Sequence, residues 1–153
     1  MRIRFVVLGA VLATGLAACG GSGGDHTSGD HAAPAGAGVT ISQSSLGPIL
    51  TDRSGRTLYA FTNDKNGSSS CSGQCIASWP ALVSGKAVTA GSGTQKSLLG
   101  ETKRAEGNLQ ATYGTWPLYY YAGDMNPGDV DGQGVDSVWY VIGADGKLIK
   151  RTS

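Results

Sequence analysis

Hydrophobic and polar residues alternate along most of the chain in short runs, and turn signals separate the runs. In residues 57–61, Leu58 and Ala60 fall on one face and their neighbours on the other, as in a β-strand. Residues 52–55 and 144–146 have the Asp and Gly positions typical of tight turns. Residues 76–79 fit either an extended segment or a short helical turn. The pattern predicts strands over residues 39–42, 49–51, 57–61, 97–103, 109–113, 118–121, 137–142 and 147–151.

The second half of the chain repeats the first at a constant offset of 60 positions. The matched pairs are Leu58/Leu118, Tyr59/Tyr119, Phe61/Tyr121, Asp64/Asp124, Asn66/Asn126 and Trp79/Trp139. Chance rarely keeps two Trp and two Tyr at one offset, so we infer an internal duplication. One repeat alone is too small to bury its apolar face. We therefore predict a mainly β domain in which two pseudo-symmetric repeats, about 49–88 and 109–151, pack as a small sandwich or a partly open barrel.

The N-terminus has the layout of a secretory signal peptide. Arg2 and Arg4 precede an apolar run, 5–16, that is short for a membrane-spanning helix. The string Leu-Ala-Ala-Cys-Gly that ends at residue 20 resembles a bacterial lipobox. That resemblance implies removal of residues 1–18 and attachment of a lipid to Cys19, which would anchor the protein to the outer face of a bacterial membrane.

Composition divides the remainder into a tether and one domain. Residues 20–38 contain no Val, Ile, Leu or aromatic side chain, so we expect residues 19–38 to form the lipidated cysteine and a flexible tether. The folded domain is expected over 39–153. The chain is 15% charged with a formal net charge of +1, which argues against a nucleic-acid partner because such a surface needs a basic stripe.

The duplicated segments resemble a known family. Tyr59 to Asp64 and Tyr119 to Asp124 each fit a Tyr-x4-Asp motif, and each is followed by a loop that ends in Trp. This arrangement resembles the bacterial secreted-repeat lipoproteins with that motif, over nearly all of 39–153. The resemblance implies an exported lipoprotein, and it implies no particular activity because the family has no established one.

The repeated aromatic strands are a candidate ligand face. Tyr59 and Phe61 share one strand face, Tyr119 and Tyr121 share the equivalent one, and a carboxylate, Asp64 or Asp124, follows each strand. Aromatic rings beside carboxylates suit sugars or other ring compounds. The alternative is purely structural: the rings pack, and each Asp caps its turn through bonds to the backbone.

The second loop also offers oxygen ligands. Asp124, Asn126, Asp129 and Asp131 supply carboxylate and amide oxygens of the kind that Ca²⁺ prefers. The spacing is not that of an EF-hand, and no Glu closes the loop. An Asx-rich turn is the competing interpretation, and we predict no cofactor.

Two cysteines remain in the mature domain. Cys71 and Cys75 would lie in an oxidising compartment, and Cys19 would be lipidated, so we predict that they form a structural disulfide. A redox pair or a metal pair are the alternatives. A redox pair usually has two intervening residues rather than three, and a metal site would need ligands that a domain without His does not supply.

These observations predict a lipid-anchored envelope protein that binds an unidentified ligand or protein partner without catalysis. A redox or electron-transfer accessory is the second hypothesis, because the cysteine pair lies beside Trp79 among six Tyr and three Trp. A wall-polymer hydrolase using Asp64, Asp124 or Asp129 is the third. No catalytic residue is predicted, since the only histidines, His26 and His31, lie in the tether.

Overall fold

The structure is a computed structural model that describes residues 38–151. The predicted signal peptide (1–18), Cys19 and the tether up to residue 37 lie outside the described residues. Eight short strands and one helix follow in chain order. They are β1 (Gly38–Ser44), β2 (Gly47–Asp52), β3 (Tyr59–Phe61), α1 (Gln74–Ser78), β4 (Thr89–Ala90), β5 (Leu99–Lys103), β6 (Leu109–Tyr113), β7 (Trp116–Pro117) and β8 (Trp139–Val141). Two short 3-10 segments cover Lys96–Leu98 and Val135–Ser137.

The strands form three small sheets, ordered β2-β1-β4, β3-β8 and β5-β6-β7. The antiparallel hairpin of β1 and β2 in the first repeat corresponds to that of β5 and β6 in the second. The domain is mainly β, contains two repeats and resembles a sandwich, as the sequence predicts. Within residues 38–151 the sheets do not close into a barrel.

The two repeats exchange strands at the centre of the domain. The aromatic strand of the first repeat, β3, pairs with β8 of the second, so that Tyr59 faces Val141. The copied segment 118–121 pairs in turn with the first repeat, through a bridge from Tyr119 to Ala81. The exchange is also seen just beyond the strands, where Thr62 N–H donates to the Val138 carbonyl at 2.8 Å and Ala122 N–H donates to the Ser78 carbonyl at 2.9 Å. Each repeat therefore completes the pairing of the other.

The two exchanged pairings differ in regularity. We predicted a strand over 118–121, but this segment pairs only through isolated bridges at Tyr119. The reason lies at Pro80, which occupies the position of Tyr140 in β8. Proline has no backbone N–H and cannot complete a ladder. The predicted return strand 147–151 is likewise reduced to one bridge, between Ile142 and Leu148.

Alternate residues of the central strands face two separate cores. The aliphatic core contains Val39, Leu50, Leu58, Ala60, Leu82, Ala111, Tyr113, Leu118 and Ile142. The aromatic core contains Leu46, Ile49, Tyr59, Cys71, Trp79, Tyr119, Trp139 and Val141, with Phe61 and Tyr121 packed against it. The alternation predicted for residues 57–61 is confirmed, because Leu58 and Ala60 enter one core and Tyr59 the other.

Candidate functional site

The two Tyr-x4-Asp motifs are joined to each other by crossed hydrogen bonds. Tyr59 Oη donates to Asp124 Oδ2 at 2.8 Å, and Tyr119 Oη donates to Asp64 Oδ2 at 2.7 Å. Each tyrosine therefore bonds the aspartate of the other repeat rather than the one in its own motif. Both distances are normal for O–H···O hydrogen bonds, and a bond to an ionised carboxylate is stronger than a bond between neutral groups.

Backbone pairing sets up this crossing. Tyr59 N–H donates to the Tyr119 carbonyl at 2.8 Å, and Tyr119 N–H donates to the Tyr59 carbonyl at 3.0 Å. This reciprocal pair lies at the pseudo-twofold centre of the two repeats. Because the strands run antiparallel there, each side chain extends toward the loop of the opposite repeat.

Each aspartate also closes its own loop. Asp64 Oδ1 accepts from the backbone N–H and the hydroxyl of Ser70, both at 2.7 Å, and Asp124 Oδ1 accepts from Asp131 N–H at 3.0 Å. Both oxygens of each carboxylate are thus engaged. The motif aspartate links a loop to the core, which is a larger role than the local cap that the sequence suggests.

Four aromatic rings stack into what we call the aromatic column. In order along the stack they are Phe61, Trp139, Trp79 and Tyr121. The successive ring centroids are 4.3, 3.8 and 4.5 Å apart, and the two indoles are parallel within 2°. The equivalence of Trp79 and Trp139 that the duplication predicts therefore takes the form of direct stacking across the pseudo-twofold centre.

The motif tyrosines pack edge-on against the two indoles of the column. Tyr59 meets Trp79 with centroids 5.5 Å apart, and Tyr119 meets Trp139 at 5.2 Å. Gly132 makes this packing possible in the second loop. A Cβ at Gly132 would lie 2.9 Å from ring atoms of both Tyr59 and Trp79, closer than side-chain atoms approach each other.

The expected ligand face is only partly available. Tyr59 and Tyr119 are fully buried, so neither can present its ring to a ligand, and this part of the expectation is corrected. They are buried because each carries its hydroxyl to a carboxylate in the opposite loop. Phe61 and Tyr121, at the two ends of the column, are half-buried. Of the four rings expected to form the ligand face, only these two, which we call the end rings, are open to a ligand.

Burial changes the titration of this cluster. It is the main cause that raises the pKa of Tyr59 and of Tyr119 well above the ordinary value, and the adjacent aspartates Asp124 and Asp64 raise it further. Both phenols therefore remain protonated at neutral pH. Burial also raises the pKa of Asp124, and the hydrogen bond from Tyr59 opposes that shift.

The acidic loop is organised as a turn. Asp129 Oδ2 accepts from the N–H groups of Met125 and Asn126 at 2.9 and 2.7 Å. The carboxylate of Asp124 is committed to Tyr59 and to the N–H of Asp131. In the part of the chain that the structure describes, Asp124, Asp129 and Asp131 do not come together as a metal-binding cluster. The carboxylates of Asp124 and Asp129 instead accept hydrogen bonds from backbone and phenol donors.

A family comparison matches both repeats. The family described as a secreted repeat of unknown function matches residues 40–83 and 100–142, which together exceed half of the chain. The chain belongs to this family. Both matches begin before residues 49 and 109, where the sequence pattern places the start of each repeat. Curated proteins and solved structures gave no match.

Membership indicates where the protein works. A secreted repeat lies outside the cytoplasm, in the extracellular space or the cell envelope. Within residues 38–151, no helix has the length and apolar character needed to cross a membrane.

The secreted-repeat domain contains the predicted disulfide. Cys71 and Cys75 are bonded, with their Cα atoms 5.3 Å apart. The short ring overlaps the start of α1, because Cys75 is the second residue of that helix, and α1 ends next to Trp79. The undecided segment 76–79 is therefore largely helical, and the disulfide fixes the approach of the chain to the aromatic column.

Arg104 is a buried residue of the site that the sequence does not reveal. Its Nη1 donates to Ser69 Oγ at 2.6 Å and to Gln110 Oε1 at 2.7 Å, and its Nη2 donates to the Cys71 carbonyl at 2.7 Å. Its Nε pairs with Glu106 Oε2 at 3.2 Å. The Ser69 hydroxyl also lies 2.7 Å from Tyr119 Oη, so Arg104 supports the disulfide loop and the motif tyrosine together.

A break in the duplication could have pointed to this network. Gln110 takes the position that Leu50 holds in the first repeat, and both are fully buried. A buried amide must find partners. Gln110 finds them in Arg104 and in the Leu118 carbonyl, 2.8 Å from its Nε2.

Proposed function

We propose that this secreted-repeat protein is a lipid-anchored domain of the bacterial cell envelope that binds a ring-bearing ligand or partner at the end rings, Phe61 and Tyr121, without catalysing a reaction. The observation that carries the proposal is the contrast within the aromatic column. Trp79 and Trp139 are buried, whereas the rings at the two ends are half-buried. Each end ring packs with one face against an indole.

The supported end rings are suited to stacking. Phe61 lies parallel to Trp139 within 13°, and Tyr121 packs on Trp79 at 33°. A ring held by a rigid neighbour loses little conformational freedom when a ligand stacks on it, so more of the contact energy appears as affinity. Sugars and other flat or ring-bearing groups are the ligands that such a surface fits.

The anchor rests on the N-terminal sequence. The lipobox-like string ending in Cys19 and Gly20, together with the tether, supports a mature protein attached through its first residue. Stable attachment takes more than one acyl chain, which a lipidated N-terminal cysteine carries.

The state of the motif carboxylates supports binding over hydrolysis. Asp64 is buried, and both of its oxygens are hydrogen-bonded to Tyr119 and Ser70. A glycoside hydrolase needs two carboxyl groups that flank an accessible bond. Asp64 cannot meet that need without breaking the core.

Anchoring is tested by fractionating cells that produce the wild type and Cys19→Ser. We expect the wild type in the membrane fraction and the variant either in the soluble envelope fraction or unprocessed, because the thiol is the proposed attachment point. Equal membrane retention of both proteins would contradict the anchor.

Binding is tested by nuclear magnetic resonance of the mature protein titrated with soluble oligosaccharide fragments of cell-wall glycan. We expect the indole N–H signals of Trp79 and Trp139 to shift, and the shifts to be lost in Phe61→Ala and Tyr121→Ala. Tyr140→Ala is the matched control, because that ring lies under Lys150 and outside the column. Shifts that survive both end-ring variants, or no shift with any fragment, would contradict the proposal.

A further inference from the structure

The interior of the aromatic column has features that ligand binding at its ends does not use. The two indoles are stacked at 3.8 Å, and each is met by the edge of a tyrosine whose hydroxyl donates to a carboxylate. The four rings of the column and the two motif tyrosines thus form a continuous series of contacting rings from one half-buried end to the other.

This arrangement matches the chemistry of one-electron oxidation. Indole and phenol are among the side chains that lose a single electron most readily. A phenol that loses an electron becomes strongly acidic and must release its proton. An oxidisable tyrosine therefore needs a proton acceptor within hydrogen-bond distance, and a carboxylate is a suitable one.

We propose that the column is a one-electron relay. Tyr121 or an indole is oxidised first, and the radical is then transferred to Tyr59 or Tyr119. The co-reactant is an oxidising radical in the extracytoplasmic space, such as an oxygen-centred radical. This inference goes beyond ligand binding and does not depend on it.

The step balances within the site. The radical gains one electron, and the electron vacancy passes through Trp79 or Trp139 to Tyr59 or Tyr119. The phenolic O–H bond of Tyr59 breaks and an O–H bond forms on Asp124, or the same exchange occurs between Tyr119 and Asp64. A one-electron reductant of the medium, such as a thiolate that becomes a thiyl radical, later returns the electron, and the carboxyl returns the proton.

The electrostatics of the site favour coupled transfer. Burial raises the pKa of both tyrosines, so the neutral phenol is the form that is oxidised. Burial also raises the pKa of Asp124, which makes this carboxylate a better proton acceptor than a solvated one.

The other tyrosines show what is specific to this pair. Tyr113 is fully buried in the aliphatic core, but its hydroxyl donates to the Ala144 carbonyl, which cannot take a proton. Tyr120 donates to Asp52, but the guanidinium of Arg56 lies 4.2 Å over its ring, and that positive charge opposes loss of an electron. Tyr59 and Tyr119 combine a carboxylate with contact to an indole.

The relay is tested by pulse radiolysis of the mature protein in detergent micelles. Azide radicals oxidise the indoles, and the absorbance of the indolyl and phenoxyl radicals is followed in time. In the wild type we expect indolyl radicals to convert to phenoxyl radicals at a rate independent of protein concentration. In Tyr59→Phe/Tyr119→Phe we expect this conversion to be lost.

Further variants distinguish a role of these residues in electron transfer from a role in packing alone. Asp124→Asn/Asp64→Asn keeps the shape but removes both proton acceptors, and we expect phenoxyl formation to slow roughly tenfold or more, as the loss of a charge-assisted bond implies. Tyr113→Phe is the matched control and should leave the conversion unchanged.

A measurement on the unaltered protein covers the case in which a variant does not fold. Conversion in the wild type should be slower in D₂O than in H₂O, because the proton moves with the electron. Indolyl radicals that decay equally in the wild type and the double tyrosine variant, or conversion without a solvent isotope effect, would overturn the relay. Neither readout involves a ligand, so failure of the binding proposal is distinguished from failure of this one.

Discussion

The two loops that follow the motif aspartates connect equivalent ends of the two repeats, but different interactions hold each loop in place. The disulfide loop, 64–79, and the glycine loop, 124–139, both begin at an aspartate that accepts a tyrosine hydroxyl from the other repeat and end at a column tryptophan. Between these shared ends only Asn66 and Asn126 match, and the other residues differ. The disulfide loop is held by the Cys71–Cys75 bond and by Arg104, which donates to the Cys71 carbonyl.

The glycine loop contains no cysteine. Asp129 caps its first turn through two backbone N–H groups, and its carbonyl accepts from Thr57 Oγ1 at 2.6 Å. Gly132 lets the backbone approach Tyr59 and Trp79 closely. The comparison teaches that the tyrosine, aspartate and tryptophan framework specifies the fold, whereas the interior of each loop can be fixed by any local means that brings its two ends together.

The largest effect is expected when a column tryptophan is removed, and this tests whether the two repeats are equivalent. Trp79→Ala and Trp139→Ala should each lower the free energy of unfolding by about 3–5 kcal/mol, because each removes a buried ring and leaves a cavity. Urea unfolding measures the loss. Trp116→Ala is the matched control, since Trp116 is half-buried beside the aliphatic core, and a smaller loss is expected. Strongly unequal losses at Trp79 and Trp139 would show that the two repeats do not share one framework.

The sequence predicts the repeated strands and tryptophans better than it predicts which side chains bond to each other. The 60-residue offset and the alternation in residues 57–61 indicate two repeats, two strand faces and equivalent tryptophans, because these features depend on local periodicity. The pattern does not say that Tyr59 reaches Asp124 instead of Asp64. Which partner a side chain meets depends on strand exchange between the repeats, and both alternatives have the same local sequence.

Burial is the second feature that the pattern leaves undetermined. Tyr59 and Tyr119 could face solvent or a core, because alternation assigns residues to a face without saying what covers it. Arg104 follows a strand, where charged residues are usually solvated. Arg104 donates to Gln110, which stands where the first repeat has Leu50. That difference is visible only when the two repeats are aligned.

The second test uses alkaline pH to compare the two crossed hydrogen bonds. The pKa values of Tyr59 and Tyr119 in the folded state lie above the ordinary 10.0, so the unfolded chain releases these protons first. The stability that they contribute is complete below pH 10 and is lost as the pH rises toward the folded-state values. Each tyrosine should remove up to about 1.4 kcal/mol of unfolding free energy per pH unit in that range.

Urea unfolding at a series of pH values above 9 measures these slopes. Tyr59→Phe and Tyr119→Phe should each reduce the slope by a similar amount, because each removes one buried phenol. Tyr140→Phe is the control, since its hydroxyl donates to the Ser137 carbonyl at the surface. A slope that responds to only one of the two substitutions would mean that the crossed bonds are not equivalent.

The smallest expected effect is that of breaking the disulfide, which should change the disulfide loop and leave the glycine loop unchanged. Reduction of the Cys71–Cys75 bond, or the Cys71→Ser/Cys75→Ser variant, should cost about 2 kcal/mol, since the ring that it closes is short. The fold should survive, because the glycine loop reaches the column without a disulfide. Amide hydrogen exchange should become faster within residues 65–78 and stay unchanged within residues 125–138, which makes the second loop an internal control. Equal acceleration in both loops would show that the disulfide stabilises the whole aromatic core. No acceleration in either loop would show that Arg104 and the bonds of Asp64 to Ser70 hold the first loop without it.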